Sequence, residues 1–334
     1  MLPSDHENHD RLYKLRPFLD YLKRKFQTIS LEENLSIDEQ LCPTKAKSFL
    51  KQYLPLKPHK WGYKIFVLSG ISGFMYNFEV YTGLENNSEK RLSTEPNLGA
   101  CANVVLRLSR IVPKFQNFKI YFDNYYTTLA LVVYLAKQGI CSLGTLRRNR
   151  VPECLTQIDG VPVTATEWKD NKVVTLLSNF SGAEPASEVT RFDKKKNEHI
   201  SVPCPNVVKI YNQHMGGVDL LDSIIARYRI AMRSKKWYFK LFFHFMDVTI
   251  VNAWLLYRKR KKENTMSLAD FRREIAVSLC MQGSNICTPT TRGRKRNISE
   301  SPSEPKKKKE VFNHICHQRM FGKIKSATLP LLQI

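Results

Sequence analysis

Apolar residues first recur at helical spacing over residues 11–26, RLYKLRPFLDYLKRKF, where Leu12, Leu15, Phe18, Leu19, Leu22 and Phe26 fall near one face with basic residues between them. That spacing predicts an amphipathic helix. The period then shortens. LSIDEQL (35–41) is a short apolar-flanked segment, and YKIFVLSG (63–70) and FMYNFEVYTG (74–83) read as strands joined by hairpin chemistry between Gly70 and Gly73. Helical spacing returns at 97–108 and ends near Pro113. FKIYFD (118–123) reads as a strand ending on an acid, TTLALVVYLAKQG (127–139) as a helix closed by Gly139, and CSLGTLR (141–147) as a further strand.

From 151 to 207 the texture changes to short strand-like pieces such as KVVTLLSNF, separated by Pro, Gly and charged turns. A compact β-rich insertion is expected there. Helical pattern resumes at Gly216 and Gly217, runs through VDLLDSIIARYRI, and continues in a long helix at 237–258 and another near 268–281. Beyond Gln282 the apolar periodicity is lost, and RGRKR (292–296) and PKKKK (305–309) mark a basic tail of low complexity, expected to be disordered.

Composition narrows the class. A chain of 334 residues with 43% apolar content can bury a sizeable core. Its 53 Lys and Arg against 30 Asp and Glu leave +23 at pH 7, spread over many segments, which points to a polyanion and to nucleic acid ahead of an anionic membrane. MLPSDHENHD lacks the charged-then-apolar order of a secretory leader, so secretion is not expected. The longest apolar stretch carries Lys240, His244, Asp247 and Asn252, so a buried helix is expected and no membrane partner. Eight scattered cysteines without CxxC spacing read as reduced intracellular thiols.

In so basic a chain the acids set among apolar residues are the informative ones. Asp123 closes a strand, where open α/β sheets hold ligands, although an acid there can also cap the helix that follows. Asp38 lies in LSIDEQL beside Glu39, with an acid on a sheet edge as its plainer explanation. Asp219 and Asp222 are three apart after a Gly-Gly breaker and share a helix face, where acids also complement the helix dipole. Together, acids from separate elements are what two-metal phosphoryl transfer needs, because hard Mg²⁺ prefers carboxylate oxygen while phosphate oxygens complete its shell.

These residues also carry a resemblance. LSIDEQL, KPHKWGYKIFVL, YFDNYYTTLALVVYLAKQGICSLGTLRRNRVP and KIYNQHMGGVDLLDSIIARYRIAMRSKKWYFKLFFHFMDVTIVNAW, collinear over about 11–258, resemble the piggyBac family of DNA transposases and their host-domesticated derivatives. The resemblance implies an α/β, ribonuclease H-like catalytic domain with a β-rich insertion and extra C-terminal helices. Its organisation here would be an N-terminal helix (1–30), the first catalytic part (31–150), the insertion (151–207), the second catalytic part (208–282) and the basic tail (283–334).

Carried over by motif, Asp38, Asp123 and Asp219 would hold two Mg²⁺ ions, with Asp222 a further acid one helical turn on. The implied reaction is nicking at transposon ends, attack of the freed 3′-hydroxyl to form hairpins, and insertion at TTAA. Relatives usually have a longer N-terminal region and a cysteine-rich zinc domain. Cys280, Cys287, His314, Cys316 and His317 lack paired CxxC spacing, so zinc is not expected, and Ala46 replaces a glycine many relatives carry. A domesticated or truncated copy is the expectation, with a catalytically silent nuclear DNA-binding protein as the alternative.

Double-stranded DNA is the expected partner, and a homodimer is compatible. Candidate DNA contacts are Lys57, Lys60 and Lys64, then Arg147, Arg148 and Arg150, then Arg227, Arg229, Arg233, Lys235, Lys236 and Trp237. Arg292, Arg294, Lys295 and Arg296 with Lys306, Lys307, Lys308 and Lys309 resemble a two-part nuclear import signal, so the nucleus is the expected location.

Overall fold

The computed structural model describes residues 10–55, 57–83, 90–147, 150, 157–169, 172–193 and 197–284. The helix α1 (Arg16–Gln27) starts later than its apolar pattern, because Pro17 sits in its first turn and Asp10 ties the preceding turn through Leu12 N and Arg16. Its buried Leu19, Leu22 and Phe26 meet the sheet, with the Phe26 ring edge-on to Phe74 and Phe78.

The main sheet is built from β1 (Asn34–Pro43), β2 (Lys51–Tyr53), β3 (Trp61–Gly70), β4 (Met75–Val80), β5 (Lys119–Phe122) and β6 (Cys141–Leu146), with helices α2 (Ala100–Ser109) and α3 (Leu129–Lys137) in the crossovers before β5 and β6. Its central order is β4-β3-β1-β5-β6. The β4, β3 and β1 half is antiparallel and the β1, β5 and β6 half is parallel. The short β2 shares the β4 edge of β3. Thus LSIDEQL lies in the centre of the sheet, between β3 and β5, and Asp38 is not an edge acid. The expected hairpin forms at Gly73, whose φ of 83° is open to glycine, and Gly139, at φ 69°, terminates α3.

The following segment holds β7 (Gln157–Ile158), β8 (Val161–Pro162), β9 (Thr164–Lys169), β10 (Val173–Ser178), β11 (Ser187–Asp193) and β12 (Glu198–Cys204). Two of these do not stand apart: β10 pairs with β6 and β9 with β10, so the main sheet continues into this segment. The pairing buries Leu176 and Leu177 of β10, which an isolated hairpin would leave wet.

Helix α4 (Asn206–His214) comes before the Gly-Gly pair at which the periodicity places the helix start. It is too short for a clear period, and its Val207 and Val208 are buried with Tyr121, Leu143, Leu176 and Cys204. Then come α5 (Gly217–Arg227), α6 (Trp237–Lys261) and α7 (Leu268–Ser284).

By length and composition α6 could cross a membrane. Its polar residues instead have specific partners. Asn252 pairs with both backbone groups of Met75 at 3.0 Å, Asp247 accepts from Ile230 N at 2.9 Å, and the Phe245 ring packs 4.4 Å from Phe78. The described residues up to Leu255 form one compact unit and those from Leu256 another; in the second, Tyr257 packs on Phe271 with ring centroids 5.4 Å apart. Cys42, Cys101 and Cys141 are free thiols.

Candidate functional site

Parallel pairing sets the site. Strands β1 and β5 are in register through Ile37↔Phe122, and one residue further along each strand stand Asp38 and Asp123. Neighbouring strands lie about 4.8 Å apart, so the two acids are neighbours in register, Asp123 just past the end of β5 and Asp38 midway along β1. Burial and a hydrogen bond shared with the Glu39 carboxyl push Asp38 up to about 8, while Lys57 pulls the other way. Asp123 is also raised, by burial and by the charge of Glu39, against the pull of backbone N–H groups and Lys64. It does not cap α3. Thr128 does so, accepting from Leu131 N at 3.2 Å, while Asp123 Oδ1 accepts from Tyr125 N at 2.9 Å within the turn.

Helix α5 brings the remaining acids. Gly217 seats it on the sheet: a Cβ there would stand 2.6 Å from Ser36 Oγ and 2.7 Å from Ser69 Oγ, and would collide with the carbonyl of Gly70. The two serines, buried on β1 and β3, bond to each other at 3.1 Å. Ser36, Asp38 and Gln40 alternate onto the same face of β1, so α5 lies along the row that carries Asp38.

Asp222 Oδ1 accepts from Gln40 Nε2 at 2.7 Å. Its carboxyl is raised by burial, with Gln40, Lys57 and Arg229 opposing. Asp219, 74% exposed, faces Lys57 Nζ at 3.8 Å. Lys57 is therefore the common counter-ion of Asp38, Asp219 and Asp222.

The carboxylates of Asp38, Asp123 and Asp219 are hard oxygen donors that could hold a divalent cation. Among the described residues no three ligating side chains are yet gathered tightly enough to do so. The Lys57 ammonium, a positive charge amid acids with raised pKa, marks where such a cation would be stabilised. For zinc, Cys280 is exposed, whereas Cys287, His314, Cys316 and His317 lie outside the described residues.

Candidate DNA contacts separate into two groups. Lys60, Arg147, Arg150, Arg227, Arg233, Lys235 and Lys236 are exposed. Trp237 is half-buried, edge-on to Phe49. Lys64 is a correction. It is 6% exposed, because the Glu39 carboxylate draws its ammonium in at 3.3 Å and the Phe66 and Tyr125 rings cover it at 4.6 and 4.3 Å. Arg229 also points inward: its Nε is buried without a partner, beside Cys42, Lys240, His244 and Asp247. Arg148 and the import-signal residues 292–296 and 306–309 lie outside the described residues.

Sequence pattern did not single out Gln40 or His244. Strand alternation from Asp38 was the available signal for Gln40, whereas nothing local marked His244.

Residues 2–254 match the family model described as Transposase IS4. Among curated proteins, PiggyBac transposable element-derived protein 3 of Homo sapiens is 30% identical over 310 residues, covering 86% of this chain and 51% of that protein. PiggyBac transposable element-derived protein 2 of Homo sapiens is 28% identical over 316 residues, covering 88% and 52%. The chain thus spans about half the length of these relatives. A piggyBac transposase solved as a synaptic complex with hairpin DNA has a similar fold, with a TM-score of 0.61 and 24% identity over 83% of this chain and 59% of that one.

Proposed function

The chain belongs to the Transposase IS4 family, among piggyBac-type relatives, and from that premise we propose that its acids form the phosphoryl-transfer centre of a DNA transposase. The observation that carries this is the emergence of Asp38 and Asp123 side by side beyond the Ile37↔Phe122 pair, with α5 docked along the same strand through Gly217. The β4-β3-β1-β5-β6 order, antiparallel then parallel, supports a ribonuclease H-like catalytic domain.

Asp38, Asp123 and Asp219 would hold two Mg²⁺ ions, which supply activation of the attacking oxygen and stabilisation of the leaving one. The chain's own residues do the positioning. Gln40 holds Asp222 beside the centre, and Lys57, released from Asp219, is placed to meet a phosphate oxygen. The exposed Lys60, Arg147, Arg150, Arg227, Arg233, Lys235 and Lys236 neutralise the DNA backbone. The fold shared with a transposase solved on hairpin DNA supports DNA as the partner, and the reaction proposed is cleavage and strand transfer at transposon ends with TTAA targets. The basic tail supports a nuclear location.

The test is Mg²⁺-dependent cleavage and joining on DNA with TTAA-flanked ends, comparing the wild type with Asp123→Asn and Asp219→Asn. Activity lost in both variants with DNA binding retained supports the assignment. The outward, lysine-paired Asp219 favours a second function, DNA binding without catalysis. Wild-type binding with no cleavage in Mg²⁺ or Mn²⁺ would select it.

A further inference from the structure

Between residues 45 and 64 the chain carries six lysines and no acid. The same stretch exposes Phe49, Tyr53 and Trp61, the last two 49% and 51% exposed on β2 and β3. Tyr53 and Trp61 are cross-strand partners with ring centroids 4.8 Å apart, and Lys51 Nζ stands 4.9 Å from the Trp61 ring. Neither ring fills the core, and β2 is at the edge of the sheet. Large aromatic faces held beside ammonium groups in an acid-free segment suit a ligand with both flat rings and negative charge.

The location narrows that ligand. Tyr53 and Trp61 form the base of the β2–β3 connection, which is closed by Leu54 N donating to Lys60 O at 2.7 Å. That connection carries Lys57, 3.8 Å from Asp219 Oδ1. The aromatic pair is therefore tied by one short turn to the acid centre. Base faces inside a duplex are already stacked, so a protein ring pair takes up unpaired bases.

We propose that Tyr53 and Trp61, with Lys51 and Lys60, form a stacking site for unpaired nucleotides next to the cleavage centre. The site rests on the DNA-processing function above and adds a binding determinant to it.

The test uses the full chain without metal and a duplex carrying a short single-stranded overhang with 2-aminopurine, against a blunt duplex of the same sequence. Wild type should quench the overhang fluorophore and prefer the overhang duplex. The double variant Tyr53→Ala and Trp61→Ala should lose the quench and roughly 5- to 100-fold of overhang affinity, with blunt-duplex affinity within about twofold. Trp61→Phe should retain most of both. Both side chains are exposed, so an unchanged melting temperature confirms that the variants are folded. Equal wild-type affinity for overhang and blunt duplexes, or quenching that survives the double variant, overturns the stacking site alone. Absence of any DNA binding overturns it together with the DNA-processing function.

Discussion

His244 Nε2 and Gln40 Oε1 stand 2.8 Å apart in the interior, joining α6 to β1. Gln40 Nε2 donates onward to Asp222 at 2.7 Å, so its oxygen must accept and the imidazole must donate. Three elements distant in sequence are thereby linked by one oriented amide. Gln40→Met removes both bonds and leaves a buried imidazole N–H and a carboxylate without this partner, at a cost of about 2 to 3 kcal/mol. Urea unfolding checks this, and an unchanged midpoint would show that the chain of bonds contributes nothing.

Burial, reinforced by Arg229 and Lys240, holds His244 down to about 3 from 6.5. The unfolded chain therefore binds the extra proton between these two values, so the contribution is complete above 6.5 and is lost as pH falls towards 3. His244→Gln, which can still donate to Gln40, should flatten the fall in melting temperature between about pH 6 and pH 4. A slope equal to that of wild type would place the acid sensitivity elsewhere.

Lys57 competes with any cation drawn to Asp38, Asp219 and Asp222. Replacing it by Met in the DNA-free protein should tighten Mg²⁺ or Mn²⁺ roughly two- to fivefold in calorimetric titration, the scale of a partly exposed ion pair. Weaker metal binding would instead make the lysine part of the metal site's support.

The seat of α5 is steric. Gly217→Ala places a methyl against Ser36, Ser69 and the Gly70 carbonyl and should cost about 1 to 3 kcal/mol. Gly216→Ala is the control, since its Cβ meets nothing within 4 Å. Comparable denaturation midpoints for the two variants would rule out a steric seat at Gly217.

Much of the fold was legible because local periodicity reports burial on one face. The strands at 63–70 and 118–123, the Gly73 turn and the long α6 all follow from alternation, turn chemistry or helical spacing. Helix α4 was missed because nine residues carry little periodic signal. The junction of β10 with β6 was missed because strand pairing depends on which edges meet.

The candidate site divides in the same way. The chain's own pattern determined that Asp123 closes an apolar strand, that Asp219 and Asp222 share a helix face, and that lysines crowd an acid-free stretch; these are properties of spacing and composition. Tertiary structure alone decided that β1 lies beside β5 in parallel, bringing Asp38 next to Asp123, and that Lys64 turns inward to Glu39 while Lys57 turns onto Asp219. It also decided that His244 reaches Asp222 through Gln40. Each of these depends on which surfaces of distant segments are buried together, and a linear pattern records that a surface is apolar or charged without recording what will cover it.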